Sequence, residues 1–290
     1  MWRFVGIQIE HRDGGAQVKA LVLGGGGITG VAWELGLLHE LRRLGTDLTT
    51  ADLIVGTSAG AYVGALIASG IDLDTAIADV RTIEIELSPR IDPGLLAQGF
   101  ALLTDTSLAP RQLRAKLGAL ARSAPLGDNA AHVARFAKTL PEHGWPTVPR
   151  LIVTAIDTDT GELAAWDETA RVPLPAAVAA SCALPGVFPP VRVGDGYYMD
   201  GGVRSVTNAD LAAGADAVIV IAPTAGLFRV SPSEELERLR VPRGLLIAPD
   251  DAAREAIGAN ILDPGRRGPA LAAGAAQAAT VAATVAQAWA

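Results

Sequence analysis

The first ordered pattern along the chain is a short apolar run, Lys19-Ala-Leu-Val-Leu23, that stops at four consecutive glycines, Gly24 to Gly27. A continuous apolar run ending in a glycine turn predicts a strand buried on both faces. From Val31 to Leu44 the apolar residues Val31, Leu35, Leu38, Leu41 and Leu44 recur at helical spacing, so a helix follows. Asp52-Leu-Ile-Val55 repeats the strand signal and Gly56-Thr-Ser-Ala-Gly60 the sharp turn. Ala61 to Ser69 repeats the helix, with Gly70 as its stop. Two successive strand–turn–helix units predict a parallel sheet covered by helices.

Residues 71–148 read as mostly helical, with loops at Ser88-Pro-Arg90, Asp92-Pro-Gly94 and Pro141-Glu-His-Gly144. Strand patterns return at Leu151 to Ala155, with a hairpin across Asp157-Thr-Asp-Thr-Gly161 to Trp166. An Ala-rich apolar stretch, Leu174 to Cys182, leads into the proline-rich Leu184 to Pro190, and Tyr197-Tyr-Met-Asp200 precedes Gly201-Gly202. The β-branched run Ala217-Val-Ile-Val-Ile221 predicts a central strand, and Gly244 to Asp250 a last one. Pro269 to Ala290 predicts an Ala-rich helix with a fraying end. No internal repeat or linker divides the chain. The expected organisation is a body over residues 19–213 with a strand–helix extension, 214–290, packed on it.

Composition narrows the function classes. With 24 Lys and Arg against 31 Asp and Glu, the formal charge is −7, which argues against a nucleic-acid partner. The single cysteine, Cys182, has no internal disulfide partner. Residues 1–15 hold no continuous apolar segment, and the longest apolar candidate, Ala215 to Phe228, is broken by Asp216, Pro223 and Gly226. The expectation is a cytoplasmic protein with no membrane-spanning run.

Ser58 lies in a Gly-x-Ser-x-Gly string between a predicted strand and helix, the setting in which that string exposes a nucleophilic hydroxyl. The Gly25-x-Gly27-x-x-Gly30 loop has two readings. A dinucleotide site wants an acid at the end of the next strand, yet Asp52 begins that strand and Ser58 follows its end. The competing reading is an oxyanion hole in which Gly25, Gly26 and Gly27 present backbone N–H groups. Two glycine corners on adjacent strands fit acyl transfer better than nucleotide binding. The histidines are His11, His39, His132 and His143, none later, so a Ser–His–Asp order has no late histidine to use. Asp200, at a strand end before two glycines, is a carboxylate at an uncrowded corner.

Gly25-Gly-Gly-Ile-Thr-Gly30, Gly56-Thr-Ser-Ala-Gly60 and Asp200-Gly-Gly202, with Ala180 to Pro190 ahead of the last, resemble the patatin-like phospholipases in order and spacing. The resemblance covers about Lys19 to Ala213. It implies a three-layer α/β/α fold with a mostly parallel central sheet, and hydrolysis of lipid acyl esters. It implies Ser58 as nucleophile and Asp200 as base, supported by Gly30, Gly56, Gly60, Gly201 and Gly202, with no metal and no cofactor. Its partners would be a lipid or small ester, met at a membrane periphery. Thr29 stands where the family usually carries Arg or Lys, which points to uncharged esters. A Ser–His–Asp hydrolase, a lipid-binding scaffold without turnover and a Rossmann-type oxidoreductase remain as alternatives. Asp157 and Asp159 read as a turn rather than a calcium site.

Overall fold

The computed structural model describes residues 17–82, 93–105, 107–124, 126–142, 144–224 and 230–290. The first half runs β1 (Lys19–Leu23), α1 (Gly27–Arg43), β2 (Leu53–Gly56), α2 (Ala59–Ala68), α3 (Leu73–Thr82), α4 (Pro93–Thr104), α5 (Pro110–Ser123) and α6 (Asn129–Phe136). The second half runs β3 (Arg150–Asp157), β4 (Leu163–Trp166), α7 (Leu174–Ser181), β5 (Val191–Val193), β6 (Gly196–Asp200), β7 (Ala217–Ile221), α8 (Pro232–Leu239), β8 (Arg243–Ile247), α9 (Asp251–Ile257) and α10 (Arg267–Trp289).

The strands form one sheet in the order β5-β6-β3-β2-β1-β7-β8, with β4 also on β3. The segment β3-β2-β1-β7-β8 is parallel, and β4, β5 and β6 join antiparallel. Alternation along the central strands builds two cores. Leu21, Leu23, Ile54, Val153, Ile219 and Ile221 face the layer that includes α1, α2 and α10. Ala20, Val22, Val55, Ile152, Val218 and Val220 face a second layer with Leu211, Leu236 and Leu239. A strand buried on both faces has no polar side to show, which is why these runs read as continuously apolar. The expected three-layer, mostly parallel α/β/α architecture is present. Residues 214–290 contribute two strands to this same sheet and helices to both of its covering layers.

Several boundaries differ from expectation, all near chemistry. Helix α1 starts at Gly27 rather than Val31, because the Gly30 N–H already closes a turn on the Gly26 carbonyl at 2.8 Å. Helix α2 starts at Ala59, immediately after the serine, rather than at Ala61. Asp52 lies outside β2, and its carboxylate accepts the Lys19 N–H at 2.9 Å, at the far end of β1 from the glycine corner. Pro93 and Gly94 open α4 instead of forming a loop; the loop expected at residues 88–90 lies outside the described residues.

Helix α10 bears on two expectations. Pro264–Trp289 is long and apolar enough, by length and composition, to cross a membrane. Its hydropathy comes mainly from alanine, with Leu271, Val281 and Val285 spaced apart, so no bulky apolar block draws attention in the sequence. Its buried residues include Ala270, Gly274, Ala278, Val285 and Trp289. A methyl group on Gly274 would collide with the Trp33 carbonyl, and one on Gly36 with the Leu271 carbonyl, so α1 and α10 touch backbone to backbone. The C-terminal end does not fray in this structure: Trp289 is 5% exposed, with the Lys19 ammonium 5.7 Å from its ring centre.

Candidate active site

Ser58 sits at the corner between β2 and α2 with φ 54° and ψ −117°. Positive φ is strained for a side-chain-bearing residue and persists only where surroundings enforce it. Here the enforcement is visible on both sides of the residue. The Ser58 N–H donates to Ser181 Oγ at 2.8 Å, and the Cys182 thiol donates to the Ser58 carbonyl at 3.2 Å. Gly60 lets the corner close, since a methyl group there would run into the Leu23 carbonyl. In the sequence Ser181 and Cys182 fall in an apolar stretch and in the Ala180 to Pro190 segment of the family resemblance, with no role expected of either side chain. Nothing in that pattern announces that two polar side chains brace the serine.

The Ser58 hydroxyl donates to Asp200 Oδ2 at 2.7 Å. Asp200 ends β6 and is 3% exposed; its N–H donates to the Ala183 carbonyl at 3.0 Å, and its Oδ1 accepts the Gly202 N–H at 2.7 Å. Gly201 fits only because it lacks a Cβ, which would strike Thr154 Oγ1. Burial pushes the Asp200 carboxyl up to about 7, against the opposing pull of the Ser58 and Gly202 hydrogen bonds. A carboxylate of about pKa 7 is a far better match for proton abstraction at neutral pH than one near its ordinary value.

A buried polar network lies behind the pair. Asn208, with φ 49°, donates from Nδ2 to Thr57 Oγ1 at 3.0 Å and to the Ser205 carbonyl at 2.8 Å. Thr57 Oγ1 is also 2.9 Å from Thr154 Oγ1. This network joins the residue before Ser58 to the segment after Asp200. The only local sequence signal is an asparagine, the type that tolerates this backbone region.

The glycine corner sorts its amides. Gly24 N–H donates to the Ile221 carbonyl at 2.9 Å and Gly25 N–H to the Val206 carbonyl at 2.7 Å. Gly25 is therefore removed from the expected set of oxyanion donors. Its role is space, since a Cβ there would lie 3.4 Å from Ser58 Cβ. Gly26 and Gly27 precede and open α1, and among the described residues their N–H groups meet no acceptor. Gly27 has φ 59°. Unpaired amides at a helix N-terminus lie at the end of the helix that favours nearby negative charge. Gly30 lies in the first turn of α1 against Pro223, and Gly56 packs on the backbone of Ala61.

Thr29 is buried, and both its N–H and its hydroxyl donate to the Ile261 carbonyl at 3.2 Å. Its side chain is therefore bonded to the segment between α9 and α10 and does not line the cavity over Ser58.

Among the described residues, the two histidines, His39 and His132, are bonded elsewhere than to Ser58. His39 is paired with Asp74 at 2.9 Å on the surface. His132, expected in an irregular region, lies on α6; its Nε2 donates to the Ala179 carbonyl at 3.0 Å, and burial pushes its pKa down to about 4. His11 and His143 lie outside the described residues. Asp157 Oδ1 accepts the N–H groups of Asp159 and Thr160, and Asp159 pairs with Arg122, so both acids serve the β3–β4 turn and its surroundings. Among the described residues no cluster of three or more His, Cys, Asp or Glu side chains is placed to hold a metal.

A cavity of about 500 Å³ opens over Ser58, Asp200 and Gly25 to Gly27. Its wall is mainly apolar, with Ile28, Val31, Tyr62, Phe136 and Phe188 among the lining residues.

Comparison with known proteins gives the same direction. The chain is 29% identical over 220 residues to the uncharacterized NTE family protein Rv1063c of Mycobacterium tuberculosis, covering 75% of this chain and 52% of that protein. It is 30% identical over 194 residues to another from that organism, Rv2565, covering 66% of this chain and 27% of the relative. The chain thus spans about half the length, or less, of these curated relatives. Among solved structures, VipD from Legionella pneumophila superposes with a TM-score of 0.51 at 16% identity, covering 93% of this chain and 67% of that one, a likeness of fold. Residues 21–213 match the patatin-like phospholipase model, and with the serine and aspartate corners falling inside that span, the chain belongs to the patatin-like phospholipase family.

Proposed function

We propose that the protein hydrolyses carboxylic esters of acyl lipids, with Ser58 as nucleophile and Asp200 as general base. The observation that carries this reading is the 2.7 Å hydrogen bond from the Ser58 hydroxyl to a buried carboxylate. Asp200 takes the serine proton as Oγ attacks the ester carbonyl, and the Gly26 and Gly27 amides receive the oxyanion. The protonated Asp200 then delivers its proton to the leaving alcohol, and in the second half it activates water against the acyl-enzyme. Each oxyanion donor of this kind typically contributes about 3–4 kcal/mol to transition-state stabilisation. The apolar wall of the cavity suits an acyl chain, so the substrate is met at a membrane surface or micelle. Family membership supports lipid hydrolysis as the class of activity.

The test is turnover of a medium-chain acyl ester by the wild-type protein, Ser58→Ala, Asp200→Asn and the double variant. Each single change should lower kcat by a factor on the order of 10⁴, and the double variant should be little worse, because the two groups act as one unit. Near-normal turnover by Asp200→Asn would remove Asp200 as the base.

A further inference from the structure

We infer that Glu235, on α8, is a positioning residue for the proposed ester hydrolysis: it clamps the turn at residues 205–209, which touches the glycine corner, the residue before Ser58 and the residue after Asp200. The inference rests on the ester-hydrolase reading of the site. Glu235 is 7% exposed and does not line the cavity over Ser58, so it meets no substrate itself. It lies beyond residues 21–213, the span that matches the family model, and so belongs to the C-terminal extension.

Three donors converge on one carboxyl oxygen. Glu235 Oε2 accepts the Ser205 hydroxyl at 2.7 Å, the Thr207 hydroxyl at 2.5 Å and the Ala209 N–H at 3.2 Å. Ser205 Oγ in turn accepts the Asn208 N–H at 2.9 Å and the Thr207 N–H at 3.2 Å. These bonds surround Asn208, whose φ of 49° is a left-handed conformation that persists only where the surroundings enforce it. Removing the acceptor would leave two hydroxyls and an amide unpaired in a buried place, and the turn would shift to satisfy them.

The clamped turn reaches the reacting groups by three routes. Between Ser205 and Thr207, the Val206 carbonyl accepts the Gly25 N–H at 2.7 Å, immediately ahead of the Gly26 and Gly27 amides. Asn208 Nδ2 donates to Thr57 Oγ1 at 3.0 Å, next to Ser58, and to the Gly201 carbonyl at 3.4 Å, next to Asp200. Arg204 Nη1 donates to Asn208 Oδ1 at 2.6 Å, which keeps the Nδ2 end of that amide turned toward these acceptors. A shift of the turn would therefore move the oxyanion donors and both corners together. A displacement of about 1 Å at a reacting group can cost roughly a hundredfold in rate, even when its cause lies far from the chemistry.

The test reads amide hydrogen exchange and kinetics separately. In Glu235→Ala the Gly25 and Ala209 amides should exchange at least about tenfold faster than in the wild-type protein, measured relative to Val22 in β1. For a medium-chain ester, kcat should fall about 10- to 100-fold with KM within about twofold, because the oxyanion donors act in the transition state. Glu235→Gln keeps an accepting oxygen, so both Gly25 exchange and kcat should stay within about threefold of wild type. Thr207→Val removes one hydroxyl of the clamp at equal size and should accelerate Gly25 exchange by about threefold or more, which decides the matter even if Glu235→Ala does not fold. Unchanged Gly25 exchange in Glu235→Ala, or in Thr207→Val where Glu235→Ala does not fold, would overturn the inference. So would equal acceleration of Val22 and Gly25, or a raised KM with kcat unchanged, since either marks a merely structural role. Faster Gly25 exchange with unchanged kcat and KM would overturn it as well. If the wild-type protein hydrolyses no ester, the ester-hydrolase reading fails while the exchange pattern still tests the clamp, so the two failures are distinguishable.

Discussion

At the scale of single residues, two buried acids differ in what surrounds them. Asp200 is held by a hydroxyl and an amide, and burial sets its carboxyl at about 7. A base must be unprotonated to act, so kcat/KM for a soluble ester should rise about tenfold per pH unit below 7 and level off above it. A flat profile from pH 5 to 9 would contradict the assignment. Glu34, on α1, is 0% exposed, and neither carboxyl oxygen has a hydrogen-bond partner among the described residues. Burial pushes its pKa well above the ordinary value of 4.5, and the nearby Gly24 amide opposes this only in part. In the unfolded chain Glu34 ionises near 4.5, while in the folded protein it stays protonated to higher pH. Folding stability is therefore lost as pH rises above 4.5 and until the folded-state value is passed. Glu34→Gln should leave the melting temperature nearly unchanged at pH 4.5 and raise it at pH 8, by an amount equivalent to about 1–3 kcal/mol. Thermal melts of both proteins at the two pH values check this, and equal shifts at both would contradict it.

At the scale of elements, what could be read from sequence tracks how local the cause is. The four central strands were legible because burial on both faces leaves an unbroken apolar run, as in Ala217–Ile221. The helix starts at Gly27 and Ala59 were not, because glycine and alanine carry no helical periodicity while the turn closes through backbone bonds alone. The serine and aspartate corners were legible from their glycines and order. The braces on Ser58, from Ser181 and Cys182, were not, because they come from residues more than a hundred positions away. Helix α10 was legible as a helix but not as a core element, since its contact with α1 depends on paired glycines rather than large side chains. Gly274→Val should therefore destabilise the protein by about 3 kcal/mol or more, because the added atoms meet the Trp33 backbone. Ala276→Glu, on the exposed face of α10, should fall within about 0.5 kcal/mol of wild type. Denaturant unfolding of both variants decides it; the reverse order of sensitivity would contradict this packing.

At the scale of the whole molecule, the parallel sheet brings three distant segments to one edge. The C-terminal ends of β1 and β2 present the glycine corner and Ser58, and antiparallel β6 delivers Asp200 beside them through its pairing with β3. The register Ala155↔Asp200 places the aspartate where β3 runs past the end of β2, so the site depends on the sheet rather than on any one loop. Reaction with a fluorophosphonate probe, followed by mass-spectrometric location of the adduct, tests this arrangement most directly. A single adduct on Ser58, formed rapidly by the wild-type protein and at least about a hundredfold more slowly by Asp200→Asn, is the expected result. An adduct on another residue, or equal labelling of Ser58 in Asp200→Asn, would contradict the account.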